Sequence, residues 1–347
     1  MKRRPTVVWP AAPHLASLLL CATVQPGKGS VHNSGRALMK SFRRHVAIAI
    51  DGGGIRGLVV TRALAVLEDY LGQTAPEIFR LASGTSTGAI ISAGIAAGLS
   101  GADMCDLYTR LAHIVFPQTW RSRLWLLTRH RYTSEPLAAA LHEYLGDLTM
   151  GDFWDHAPRI DVVVTTFDLL ENRTRFVKPW KPTYAKWPVT KAVLASSAVP
   201  TYFPAVEGRY IDGGIGSYAN PCYLAAYELK FCLGWDPLET TLISLGTGRE
   251  PHALNVDKAN HWWPWQWLMP MFGAFLQCAN DQQVHLVKTF FQDLDFRRFQ
   301  IDLARPIAMD DVTAIPDLLA YGDALGRKIL NDDVDSAMAI HPSQAPG

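Results

Sequence analysis

The chain has 347 residues, 48% hydrophobic and 19% charged, which suits one large α/β domain or two small ones with material for a substantial core. A formal net charge of +1 gives no global field to hold a nucleic acid polymer, so none is expected as a partner. The five cysteines (Cys21, Cys105, Cys222, Cys232, Cys278) are odd in number, scattered and without a CxxC pair, which argues against a disulfide framework or a zinc site and for a reducing, cytoplasmic setting.

Residues 1–38 differ from the rest: a basic start, a short apolar stretch and then a Gly/Ser-rich segment before Met39. Pro10, Pro13 and His14 interrupt the apolar stretch and no small-x-small cleavage site follows, so a disordered extension is expected ahead of targeting or a Cys21 lipid anchor. A regular pattern begins at residue 45. "HVAIAID" reads as a buried strand, and "LVVTRALAVLEDYLG" spaces Leu58, Leu64, Leu67 and Tyr70 at helical intervals until Gly72 stops it. "IFRLASGTSTGAIISAGIAAGL" repeats the arrangement, with a helix ending near Gly98. Two successive strand-turn-helix units predict a largely parallel sheet covered by helices.

Further strands are expected at "RIDVVVTTFDL", "TRFVKP", "GRYIDGG", "TTLISLGTG" and "RRFQID", and helices at "VTKAVLASSAV", "CYLAAYELK" and "IPDLLAYGDALGRKIL". No fixed-period repeat or linker interrupts residues 45–335, so one catalytic domain over 39–335 is expected, followed by a frayed tail at 336–347.

Three motifs carry chemistry. "GTSTG" at 84–88 is a G-x-S-x-G pentad where a predicted strand meets a predicted helix, the setting of a nucleophile elbow; Ser86 is the candidate nucleophile, with Gly84 and Gly88 keeping the turn clear. The alternative is a plain small-residue turn. A serine needs a base and a stabilised oxyanion. "DGGGIRG" leaves the amides of Gly52, Gly53 and Gly54 unblocked before a helix, which suits an oxyanion hole. The same glycines satisfy G-x-G-x-x-G, but a dinucleotide site wants an acid about 20 residues on at a strand end, whereas Glu68 and Asp69 fall inside a predicted helix. "RYIDGG" puts Asp212 at a strand end backed by Gly213 and Gly214, so its carboxylate reaches the sheet edge as a base or as the orienter of a histidine. His252, His261, His285 and His341 follow it, none in a tight loop after a clear strand, which favours a Ser–Asp pair.

"DGGGIRG", "GTSTG" and "DGG" in this order resemble the patatin-like phospholipase family, supported by "ASSAVPTYFP", Asn220-Pro221 and "SLGTG". The similarity covers roughly residues 45–305. It implies a three-layer α/β/α sandwich with a mostly parallel central sheet, and an acyl hydrolase with Ser86 as nucleophile, Asp212 as base, the Gly52–Gly54 amides as oxyanion hole and Arg56 holding the glycine loop in shape. It implies no cofactor and no metal; a phospholipid or other acyl lipid is the expected partner, with peripheral membrane contact, and a homo-oligomer is left open. Two rivals stand beside this reading: an effector silent until a nucleotide or protein activator binds, and a non-catalytic nucleotide-binding module.

Two segments are candidates for lipid contact. "HWWPWQWLMPMFGAFLQCAN" (261–280) has four tryptophans in six residues and no Asp, Glu, Lys or Arg. Its Pro264, Pro270, Gln266 and Gln277 argue against a spanning helix, leaving a lid or membrane-interface element against a buried aromatic helix. "TWRSRLWLLTRHRY" (119–132) interleaves Arg121, Arg123, Arg129 and Arg131 with Trp and Leu, and competes with a solvated face. "NRT" at Asn172 carries no glycan in a cytoplasmic protein.

Overall fold

The computed structural model describes residues 39–119, 128–155, 159–251 and 259–336. The expected extension with Cys21, most of the expected tail, Arg121, Arg123, His252 and His341 lie outside these residues.

Among the described residues seven strands form one sheet: β1 (His45–Ile50), β2 (Leu81–Gly84), β3 (Asp161–Asp168), β4 (Arg173–Val177), β5 (Tyr210–Asp212), β6 (Thr240–Leu245) and β7 (Asp295–Phe299). The order is β4-β3-β2-β1-β6-β7, with β5 also on β3; β1, β2, β3, β6 and β7 run parallel, while β4 and β5 pair antiparallel with β3. The principal helices are α1 (Gly57–Leu71), α2 (Thr87–Ala96), α3 (Gly101–Val115), α4 (Glu135–Leu145), α5 (Val189–Ser197), α6 (Cys222–Tyr227), α7 (Pro264–Phe290) and α8 (Ile315–Leu330).

Alternation along the strands builds three layers. Val46, Ile48 and Ile50 of β1 face a core shared with α1, α2, α3, α5 and α8, whereas Ala47 and Ala49 face a second core shared with α6 and α7. Small residues on that second face let α6 lie close to β1. The strands are buried on both faces, which is why they read as apolar runs rather than alternating ones. The fold is thus the expected α/β sandwich with a mostly parallel sheet, and Gly72 ends α1 in a left-handed conformation as its position predicts.

Every expected strand is present, but α3 and α4 were not anticipated. Ser100 and Asp103 form a capping box at the start of α3, with the Ser100 hydroxyl accepting from the Asp103 amide at 3.1 Å, and Met104, Leu107, Leu111 and Val115 follow at helical spacing. That pattern was legible; the turn from Gly98 to Gly101 masked it.

One buried ion pair fixes the end of β1. Arg298 on β7 donates to both carboxylate oxygens of Asp51, at 2.8 and 2.5 Å, and to Ser244 on β6 at 2.8 Å. Burial alone pulls the Arg298 guanidinium down, but the charge and hydrogen bonds of Asp51 outweigh it and hold it above its usual value. Replacing Arg298 with Met should cost about 3–5 kcal/mol of unfolding free energy by leaving a buried carboxylate unpaired; urea denaturation measures it, and a double variant with Asp51→Asn should recover part of the loss.

Candidate active site

The register of β3 explains why distant residues meet. β2 pairs with Asp161–Val164 of β3, while β5 pairs with Thr166–Asp168, opposite Asp212 at Thr166. Because β4 occupies the other edge of β3 over Val164–Asp168, β5 takes the edge that β2 leaves free. The chain leaving Gly84 therefore runs towards β5, and Ser86 arrives beside Asp212.

Ser86 sits at φ 57° and ψ −123°, a region that L-residues rarely enter, as N-cap of α2. Its amide donates to the Ser196 hydroxyl at 2.9 Å, and Thr85 beside it bonds Thr165 at 2.6 Å and the Tyr218 carbonyl at 2.5 Å. The strain is thus held by side chains from β3 and α5 and by a backbone carbonyl from the loop before α6. Behind the serine, the Tyr108 hydroxyl, on α3, bonds both the hydroxyl and the carbonyl of Thr87. Gly84 and Gly88 are required by space, since a side chain at Gly84 would strike the backbone of Gly88 and one at Gly88 the carbonyl of Ile50.

The glycine loop abuts this turn. A Cβ on Gly52 would lie 3.3 Å from the Ser86 Cβ, which shows how closely bare backbone approaches the serine. The Gly52 amide donates to the Ala219 carbonyl at 2.9 Å, so the expectation that it serves as an oxyanion donor is corrected: that proton is already bound. The amides of Gly53 and Gly54 have no acceptor among the described residues, and Gly54, at φ +59°, lines the same pocket as Ser86. Thr247 of the "SLGTG" stretch donates to the Gly52 carbonyl at 2.7 Å and packs against Gly53. Arg56 is half-buried and donates to Glu250 at 2.5 Å; it ties the glycine loop to the segment after β6.

Asp212 is buried. Burial pushes its carboxyl up to about 6, against the Gly214 amide, which donates to Oδ1 at 2.7 Å, and the nearby Ser86 hydroxyl, which both favour the charged form. Oδ2 has no partner within strict hydrogen-bond geometry, while the Ser86 hydroxyl lies near enough to favour the charged carboxylate. Gly213 packs on Thr165, which leaves no room for a side chain there. His261 and His285 are exposed and line no part of the pocket, so among the described residues no histidine completes a triad. Nor do the described residues contain a group of three His, Cys, Asp or Glu able to hold a metal.

Ser86 opens into an apolar pocket of about 980 Å³, counting the space open to solvent, walled by α2, α3 and α4 and by Tyr202, Phe203 and Met309. No described residue of 261–280 lines it. The segment starts the 27-residue α7, whose later residues Val284 and Val287 are buried in the second core, while Trp263, Trp267, Met271 and Phe275 are exposed at four-residue spacing. No helix among the described residues is long and apolar enough to cross a membrane.

A strained serine at a strand-to-helix turn, a buried carboxylate and free backbone amides over an apolar pocket define a serine-elbow site on an α/β sandwich. A family model described as "Patatin-like phospholipase" matches residues 48–226, over half of the chain, and the protein belongs to that family. It is 31% identical over 231 residues to an intracellular phospholipase A2 of Caenorhabditis elegans, covering 60% of this chain and 20% of that one. It is 27% identical to a cGAMP-activated phospholipase of Vibrio cholerae (60% and 65% covered) and 26% identical to one of Pseudomonas aeruginosa (89% and 96%). The chain thus spans a fifth of the first of these relatives and about two-thirds of the second. Among solved structures, VipD from Legionella pneumophila aligns with a TM-score of 0.45 at 12% identity over 84% of this chain and 67% of that one.

The raised Asp212 carboxyl makes a stability prediction. With a value of 3.8 unfolded and about 6 folded, the protonated form is favoured by folding, so its contribution is complete below pH 3.8 and lost as pH rises through 6. At neutral pH the buried charge costs about 3 kcal/mol. Asp212→Asn, which keeps the acceptor for Gly214, should therefore be more stable than the parent chain above pH 6 and level with it near pH 4, as read by thermal unfolding across that range.

Proposed function

We propose that the protein is a serine-dependent lipid acyl hydrolase of the phospholipase A or lysophospholipase type. The observation that carries the reading is that Ser86 and Gly54 line one apolar pocket, with the Asp212 carboxyl beside Ser86 and the amides of Gly53 and Gly54 unpaired among the described residues. Asp212 takes the proton of the Ser86 hydroxyl as its oxygen attacks the ester carbonyl carbon, and the Gly53 and Gly54 amides donate to the oxygen that becomes negative. The ester C–O bond then breaks, and Asp212 returns the proton to the departing alcohol or lysolipid. Water repeats the sequence on the acyl-serine, releasing the fatty acid and restoring Ser86. Each amide donor is worth about 100- to 1,000-fold in rate. Asp212 suits the role because burial lifts its basicity towards neutral pH, and it is charged above about 6.

A gated form of the same activity is favoured by one observation: the relation to the cGAMP-activated phospholipase of P. aeruginosa extends over 89% of this chain. The test of both is release of fatty acids from a mixed lipid extract, followed by mass spectrometry with and without cGAMP. Ser86→Ala should lower release by about three orders of magnitude or more, and kcat/KM of the parent chain should rise with pH through about 6. Release unaffected by Ser86→Ala refutes the reading.

Peripheral contact with a lipid surface belongs to the same reading. α7 ends just before β7 and so runs antiparallel to the parallel strands; at 27 residues it is about 40 Å long, roughly twice a six-residue strand. Its first half therefore projects beyond the carboxyl edge of the sheet, the edge that carries Ser86, and presents Trp263, Trp267, Met271 and Phe275 to the outside. Tryptophan suits a membrane interface because its ring is apolar and its N–H seeks water. Vesicles of anionic phospholipid should shift and intensify tryptophan emission, and Trp263→Ser with Met271→Ser should weaken the partition at least tenfold.

A further inference from the structure

We infer that the pocket is a ruler for a single acyl chain, with α2 as its scale and Met104, laid across Gly94, as its stop. This rests on the acyl hydrolase reading and adds a substrate length to it. The residues of α2 that line the pocket are Thr87, Ile90 and Gly94, one face of one helix beginning at Ser86. At about 1.5 Å per residue, Ile90 lies about 6 Å and Gly94 about 12 Å beyond the serine along the helix axis.

Contacts between α2 and α3 give the direction. Tyr108 touches Thr87 at the serine end, and Met104 meets Gly94 at the other, so the two helices run antiparallel along the pocket. A Cβ on Gly94 would come 2.8 Å from the Met104 sulfur and 3.5 Å from Leu99 Cδ1. Glycine at 94 thus lets the thioether lie flat on the helix, and Met104 itself is buried. At the opposite end Val115 and Phe203 join a separate aromatic cluster around Tyr132. The lining is mostly apolar, with Tyr108, Tyr144, Ser197 and Tyr202 as its few polar side chains beside the serine turn, so the pocket suits a hydrocarbon tail rather than a charged headgroup.

A ruler makes affinity rise with each methylene until the chain meets the stop and then level off. Each buried methylene adds about fourfold to affinity. The measurement is calorimetric binding of saturated fatty acids of graded length to the full chain, to Ile90→Phe and to Met104→Ala, beside hydrolysis of p-nitrophenyl esters of the same acids. In Ile90→Phe the plateau should arrive several methylenes earlier, and the ratio of long- to short-chain kcat/KM should fall at least tenfold. In Met104→Ala the plateau should move to longer chains. Because truncating Met104 opens a cavity and can weaken the fold, Ile90→Phe carries the test if that variant fails. A plateau at one length in the parent chain and Ile90→Phe overturns the ruler. Length-dependent binding that shifts as stated, with no hydrolysis dependent on Ser86, upholds the ruler and refutes the hydrolase reading instead.

Discussion

The site depends on one constraint of strand length. β3 has eight residues and β2 four, so β2 covers only the first half of their shared edge. The uncovered half accepts β5 antiparallel, and the residues at the seam are Ser86 on one side and Asp212 on the other. Residues 126 apart in the chain become neighbours through backbone pairing, without a side chain having to reach. This is why the serine can be held in a strained backbone and the acid in a buried one: both are extensions of a ladder whose hydrogen bonds are already made.

A second consequence is crowding. The turn after β1, the elbow after β2 and the loop before α6 converge on the same point, and they fit only with bare backbone: Gly52 against Ser86, Gly88 against Ile50, Gly213 against Thr165. Glycine at these places is a matter of space. The gathering of backbone also brings amides together; Ala219 and Met309 take those of Gly52 and Ile55, and those of Gly53 and Gly54 are unpaired among the described residues. Asp51 and Arg298 hold the first of these turns from below, so the glycine loop hangs from a buried charge pair rather than from the surface.

Much of this was legible in the sequence because it is local. "HVAIAID", "GTSTG" and "RYIDGG" each announce a strand and its turn, since buried strands are apolar runs and turns need small residues. Tertiary contacts were not legible. Nothing near Gly52 reveals that Ala219 takes its amide, and nothing near Asp51 names Arg298, since both partners arrive from strands or loops distant in the chain. The pocket was missed for a related reason: its walls are the ordinary amphipathic helices α3 and α4, whose inward faces read like any core stripe until the sheet places a serine beneath them. The tryptophan-rich segment was conspicuous in composition, yet it starts a helix on the other face of the sheet.

The two faces of the sheet thereby divide the work. On one, α2, α3 and α4 enclose an apolar space that begins at a strained serine; on the other, α7 extends past the edge with its aromatic side chains uncovered. Burial at Asp212 sets the basicity of its carboxylate. Removing water raises the carboxyl towards neutrality and makes its charge costly, and the same burial makes that charge a stronger base when it forms. A more exposed acid would stabilise the fold and accept a proton less readily, so the stability given up at position 212 and the basicity of its carboxylate are set by one and the same desolvation.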